Sequence, residues 1–316
     1  MPTRRAWFGL LVSACALVVA ATAAAQPAGG SVLARELRFA AAHGVRLQTD
    51  DLGGGRVRVS LAALGPAQAP LGPSVLVHEG ADARSALAVR EGAALVALVR
   101  GGASTFVRFA VVALDADGAP AGTPKALDAT ALRTGRDGVP TAVLACPDPT
   151  GFTVLWQELV LAGDRPDART YFGRIGADGR WLEPAHVVDV PWSVAALAHD
   201  GRGYHLGLYF TSSSPEQTRV SLVTLDPGGR PEQHPWWASR PELVSEVQLA
   251  VAGGRVLAYW RGGADGTSLR SSDVTDVGQW GTEPGPAQEH GTLPLEASFA
   301  LRVDAGREVV VVRSGP

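Results

Sequence analysis

Ser193-Val-Ala-Ala-Leu-Ala-His199 runs into Asp200-Gly-Arg-Gly203 and straight on into Tyr204-His-Leu-Gly-Leu-Tyr-Phe210. An apolar run, a turn built of Asp and Gly, and a second apolar run read as strand, tight turn and strand. A polar connection from Thr211 to Thr218 leads to Arg219-Val-Ser-Leu-Val-Thr-Leu225, which stops at Asp226-Pro-Gly-Gly229 before a weaker run ending His234-Pro-Trp-Trp237. Four short strands joined by hairpins make one antiparallel sheet. The runs are apolar on both faces, the pattern of a sheet packed between two others rather than one with a wet side. Such a unit cannot cover itself, so it should recur.

It does. A glycine closes one apolar run and opens the next at Gly44, Gly92, Gly151, Gly203, Gly254 and Gly306, at intervals of 48, 59, 52, 51 and 52 residues. The end of the third strand provides an independent marker, seen in Val111-Val-Ala-Leu-Asp-Ala-Asp-Gly118, Phe172-Gly-Arg-Ile-Gly-Ala-Asp-Gly179 and Leu222-Val-Thr-Leu-Asp-Pro-Gly-Gly229. Measured from the preceding glycine, the anchors Leu64, Leu114, Ile175, Leu225 and Thr275 fall at 20, 22, 24, 22 and 21 residues. Two markers in phase through five copies, with strand-only units near fifty residues, resemble the β-propeller superfold at large. The resemblance covers nearly the whole chain and implies an all-β ring of four-stranded antiparallel blades. A sandwich also offers many short strands, but it needs no repeat that stays in phase.

Only ten residues follow Gly306, so the last sheet is expected to be completed from the N-terminal end. Four valines in a row, Val309 to Val312, would otherwise stand at an open edge. The sequence predicts six blades, with a strand near Ser31 to Arg35 pairing with the C-terminal sheet. The alternative is five, with Arg56 to Leu61 and Gly72 to Val77 supplying the missing outer strands.

Residues 1–25 read as an export signal: Arg4-Arg5, an apolar run from Ala6 to Val19, and small residues at Ala23-Ala-Ala25. Residues 26–316 are then one propeller domain, exported to the periplasm or beyond. Thr3-Arg-Arg-Ala-Trp-Phe8 is a partial twin-arginine pattern. Val12-Ser-Ala-Cys15 resembles a lipoprotein cleavage box, but the sequence stays apolar past Cys15, which argues against lipid anchoring there. No later stretch is long and apolar enough to span a bilayer. With Cys146 as the one remaining cysteine, no internal disulfide is expected. The formal charge of −3 and the absence of a basic block argue against nucleic acid.

Inner strands of a propeller begin close together at one channel mouth. Counting back from the turn glycines puts Glu36, Arg84, Thr141, Ser193, Glu246 and Glu296 there. Converging carboxylates are what glycoside hydrolysis requires, one as acid and one ionised, and Glu246 and Glu296 are the candidate pair. Trp192, Trp236 and Trp237 are candidate binding residues, because exposed tryptophans stack on sugars or anchor protein partners.

Other motifs carry less. Ser271-Ser-Asp273 followed by Trp280 resembles the Asp-box turn of sialidase-type propellers, yet Gly278 stands too far from Asp273 and no arginine triad region matches, so no activity is implied. Asp115-Ala-Asp-Gly118 lacks the further ligands of a calcium loop and reads as a hairpin turn. The seven histidines show no metal-ligand spacing, Cys146 has no cation beside it in sequence, and no phosphate loop or nucleophile elbow is present. No cofactor or metal is expected. The function expected from all this is binding or interaction with a protein or glycan partner; the alternative is a carbohydrate-active hydrolase with carboxylates at the central channel.

Overall fold

A computed structural model describes residues 32–314 apart from 41–42, 66–68, 102–104, 131–137, 163–164, 191–192, 212–217, 233–234, 276–285 and 295–296. The described residues are all β, in six antiparallel sheets taken in chain order. The first sheet is β1 (Val32–Ala40), β2 (His43–Gly53), β3 (Arg56–Leu64) and β4 (Val75–Ala81); the second is β5 (Arg84–Arg90), β6 (Ala93–Arg100), β7 (Phe106–Leu114) and β8 (Pro120–Asp128). The third is β9 (Val139–Pro147), β10 (Gly151–Ala162), β11 (Arg165–Gly176) and β12 (Trp181–Val188). The fourth is β13 (Ser193–His199), β14 (Tyr204–Thr211), β15 (Thr218–Leu225) and β16 (Trp236–Trp237), and the fifth is β17 (Ser245–Ala252), β18 (Arg255–Gly262), β19 (Ser268–Asp273) and β20 (Gln288–Thr292). The sixth holds two strands, β21 (Ser298–Asp304) and β22 (Glu308–Ser314). The six-sheet count predicted from the repeat holds, and the five-sheet alternative does not.

The two sequence markers keep phase because they touch. Gly44, Gly92, Gly151 and Gly203 each lie opposite the end of the third strand. A Cβ on Gly151 would overlap the carbonyl oxygen of Ile175, and one on Gly203 would sit 2.8 Å from the carbonyl oxygen of Leu225. At Gly92 the glycine is required by φ +76°, and its carbonyl accepts from Leu114 N at 2.9 Å. The third-strand turns are held by aspartates: Asp115 Oδ1 accepts from the N–H of Asp117 and Ala119, and Asp226 Oδ1 from that of Arg230. Such Asx contacts make a hairpin turn, as expected for Asp115, and not a cation loop.

Neighbouring sheets bury their faces against each other. Between the third and fourth, Leu155, Phe172, Leu206, Leu208, Val223 and Leu225 form one continuous apolar layer. Between the fourth and fifth, Val220, Leu222 and Trp236 meet Val256, Ala258 and Trp260. Cys146 is buried at the first of these seams and free, and burial pushes its thiol pKa well up, so it is inert packing.

The two ends meet, but not as expected. The strand containing residues 32–35 pairs with β2 of its own sheet, in the register Val32↔Asp50 and Ala34↔Thr49, and does not pair with the C-terminal sheet. What joins the sixth sheet to the first is a small cluster of Leu37, Leu64 and Ala300, flanked by Phe39 and Val312. Val309 to Val312 pair on one side with β21, Val312 facing Ala300 and Val309 facing Val303. Among the described residues no strand pairs with the other side.

Candidate functional site

The inner strands β1 and β17 carry the same device near their starts. In the first sheet Glu36 Oε2 accepts from Leu87 N at 3.0 Å while Arg38 Nε donates to Leu87 O at 3.3 Å. In the fifth, Glu246 Oε1 accepts from Phe299 N at 2.9 Å while Gln248 Nε2 donates to Phe299 O. In each case residues i and i+2, which a strand points the same way, grip both backbone groups of one residue on the next inner strand. The side chains replace the ladder hydrogen bonds that two inner strands of different sheets cannot make.

Glu246 is set apart by its backbone. The β17–β18 register slips between Ser245 and Val247, so Glu246 is the extra residue of a β-bulge, with φ +50°. A left-handed conformation costs a non-glycine residue about 1 kcal/mol or more, and bulges re-aim a side chain. The carboxyl faces the sixth sheet, as that of Glu36 faces the second without a bulge. Its second oxygen lies 3.6 Å from the Arg261 guanidinium, which also donates to Ala297 O. Burial dominates, and the carboxyl pKa rises to about 7 against the lowering effects of the Phe299 N–H, Arg261, Arg38 and Gln248. Glu36 is likewise raised by burial, opposed by its 2.8 Å ion pair with Arg38.

Glu36 thus ties the first sheet to the second and Glu246 the fifth to the sixth, whereas the remaining candidates scatter. Glu296 and Trp192 lie outside the described residues. Arg84 is exposed and donates to Thr141 O of the third sheet, a tie between sheets. Its strand mate Arg90 does the same at the far end, donating to Asp148 O and Gly151 O. Trp236 is buried in the seam between the fourth and fifth sheets, which rules it out as an exposed binding residue. Trp237, on the opposite face as adjacent strand residues must be, is half-buried under the Arg219 guanidinium at 4.9 Å.

His199 Nδ1 accepts from Gly201 N, and His205 pairs with Asp200 at 3.0 Å. Both serve the turn between them. Among the described residues no group of three His, Cys, Asp or Glu side chains could hold a metal. Asp273 caps its own strand end, accepting from Thr275 N at 3.0 Å.

Sequence reasoning missed Arg38, Gln248 and Arg261. A signal for the first two existed, the repeated Glu36-Leu-Arg38 and Glu246-Val-Gln248 at equivalent strand positions. Arg261 had none, because it reaches Glu246 only through the sheet pairing Ser245↔Arg261.

No family model matches the chain, and no curated protein matches it. Solved structures do. A mutant of Trypanosoma rangeli sialidase displaying trans-sialidase activity aligns at TM-score 0.54 and 8% identity, over 90% of this chain and 52% of that one. A thermostable family-43 glycoside hydrolase aligns at TM-score 0.44 and 10% identity, over 92% and 94% of the two chains. A family-43 enzyme from Xanthomonas citri complexed with xylotriose aligns at TM-score 0.41 and 12% identity, over 82% and 93%. Identities this low speak to fold. The proteins so named are glycosidases, against the binding or interaction module expected from the sequence, and their likeness to this chain is one of fold. Among the described residues no helix is long and apolar enough to cross a membrane.

Proposed function

We propose that the chain is a carbohydrate-active hydrolase that works with carboxylates at the central channel, Glu246 serving as the acid. The observation that carries the reading is the state of Glu246. Burial raises its pKa to about 7, toward the range of a group that must give a proton to a leaving oxygen. The strained bulge that carries it fits the same role, since strain of this kind clusters at working sites.

Glycoside hydrolysis also needs an ionised carboxylate, as base or nucleophile. Glu296 is assigned that part. It is the partner that the sequence pairs with Glu246, and it lies outside the described residues. Glu36 is held by Leu87 N and by a 2.8 Å pair with Arg38, closer than the 3.6 Å approach of Arg261 to Glu246, and is not assigned to the reaction. The partner class is a glycan, and export by the leader at residues 1–25 would place the enzyme where polymeric glycans are met.

The test is cleavage of p-nitrophenyl glycosides of pentoses, hexoses and sialic acid by residues 26–316. One glycoside should be turned over, with an alkaline limb near pH 7, and Glu246→Gln should lower kcat by roughly 10²–10⁴-fold with its fold intact. Full activity in Glu246→Gln, or no cleavage of any member by the parent, would overturn the proposal.

A further inference from the structure

The two carboxylates are joined. Arg38 NH2 pairs with Glu36 at 2.8 Å, and Arg38 NH1 donates to Gln248 Oε1 at 2.7 Å, from the first sheet to the fifth. The Gln248 amide meanwhile holds Phe299 O of the sixth sheet, whose N–H is held by Glu246. Residues 210 positions apart thus meet beside the inner strand of the two-stranded sheet, where the first and last sheets share only a small apolar cluster.

We propose that Arg38 and Gln248 are positioning residues for Glu246, forming a bridge that links the protonation of Glu36 and Glu246 into one coupled system. The inference rests on the reading of Glu246 as the acid, and it adds which side chains set its protonation. Arg38 is a cation that both carboxylates feel, and Gln248 fixes where that cation points. Among the described residues, the charged and titratable groups facing Glu246 are Arg261 from β18, Arg38 from β1 and Tyr209 from β14. Tyr209 is itself pushed up to about 12 by burial and stays neutral throughout the relevant range. Of these only Arg38 also touches Glu36. A pair coupled in this way loses its protons in steps that belong to the pair.

The experiment is a titration of the free protein, followed by the side-chain carboxyl ¹³C resonances of Glu36 and Glu246, the latter assigned by its loss in Glu246→Gln. Arg38→Gln should raise the Glu246 midpoint from about 7 by about half a unit or more, because a nearby cation is removed. Arg38→Lys, which keeps the charge, should restore most of the shift. The discriminating variant is Gln248→Leu. Gln248 bonds to Arg38 and Phe299 and lowers the pKa of Glu246 directly but does not touch Glu36, yet the Glu36 midpoint should move with that of Glu246.

Combined with Arg38→Gln, Gln248→Leu should shift Glu246 by less than the sum of the single shifts, since both break one bridge. An unmoved Glu36 in Gln248→Leu, or strictly additive shifts, would overturn the proposal. If Arg38→Gln fails to fold, Arg38→Lys and Gln248→Leu still decide it. No substrate enters the measurement, so coupled titration without glycoside cleavage would sink the hydrolase reading alone, and cleavage without coupling would sink the bridge alone.

Discussion

The seam between the third and fourth sheets and the seam where the fifth, sixth and first sheets meet perform the same task by different means. At the first, complete four-stranded sheets bury Leu155, Phe172, Leu206, Leu208, Val223 and Leu225 together, with β15, a third strand, sealing the interface. At the second, the sixth sheet has two strands among the described residues. A cavity of about 370 Å³ lies against β22, lined by Tyr259, Leu269, His290, Val309, Val311 and Arg313. With less apolar area to bury, that seam is held by carboxylates, an amide and arginines. Polar groups brought out of water have shifted proton affinities, and at this seam the shifted group is Glu246.

Truncating the apolar seam should give the largest effect. Phe172→Ala, at a ring that is fully buried and in T-shaped contact with Tyr204 at 5.2 Å, should lose about 3–5 kcal/mol in urea unfolding. A loss below about 1 kcal/mol would mean that this seam is not the stronger one.

The polar seam should instead respond to pH. Glu246 has a folded pKa of about 7 against an ordinary 4.5, so the folded state holds its proton more tightly. The resulting stabilisation is fully present below pH 4.5 and is lost as pH rises through about 7, a change on the order of 2–3 kcal/mol. Unfolding free energies measured from pH 4.5 to 8 should fall by this amount in the parent, and the fall should shrink in Glu246→Gln. An equal fall in both would assign it to other groups.

Smaller again is Val311→Ala. This residue is half-buried beside the cavity, and about 1 kcal/mol should be lost, well below the cost at Phe172. Least of all, Arg58→Gln breaks an exposed 2.9 Å pair with Glu79 and should change stability by under about 1 kcal/mol, a change that added salt removes. A larger effect there would break the distinction between exposed and buried ion pairs on which the comparison depends.

The repeated part of the molecule was legible because it is local. Ser193–His199, Tyr204–Thr211 and Thr218–Leu225 follow the apolar runs nearly residue for residue, and Gly203 and Leu225 kept their spacing because one strand end abuts the other. The candidate site was legible only in part. Counting back from the turn glycines reached Glu36 and Glu246, but the same count gave Arg84, which ties two sheets together at the surface. Nothing in the local sequence marks a bulge, so the φ of Glu246 was out of reach. Trp236 and Trp237 were legible as tryptophans able to bind, yet which of them was buried depended on the fifth sheet.

By itself, then, the sequence determined the strands, their turns and the number of sheets, because alternation, turn chemistry and repeat length are properties of neighbours along the chain. Only the tertiary structure decided how the ends meet and what the glutamates face. Those outcomes depend on residues far apart in the chain, such as Arg38 and Gln248, whose contact arises only once six sheets have been laid side by side.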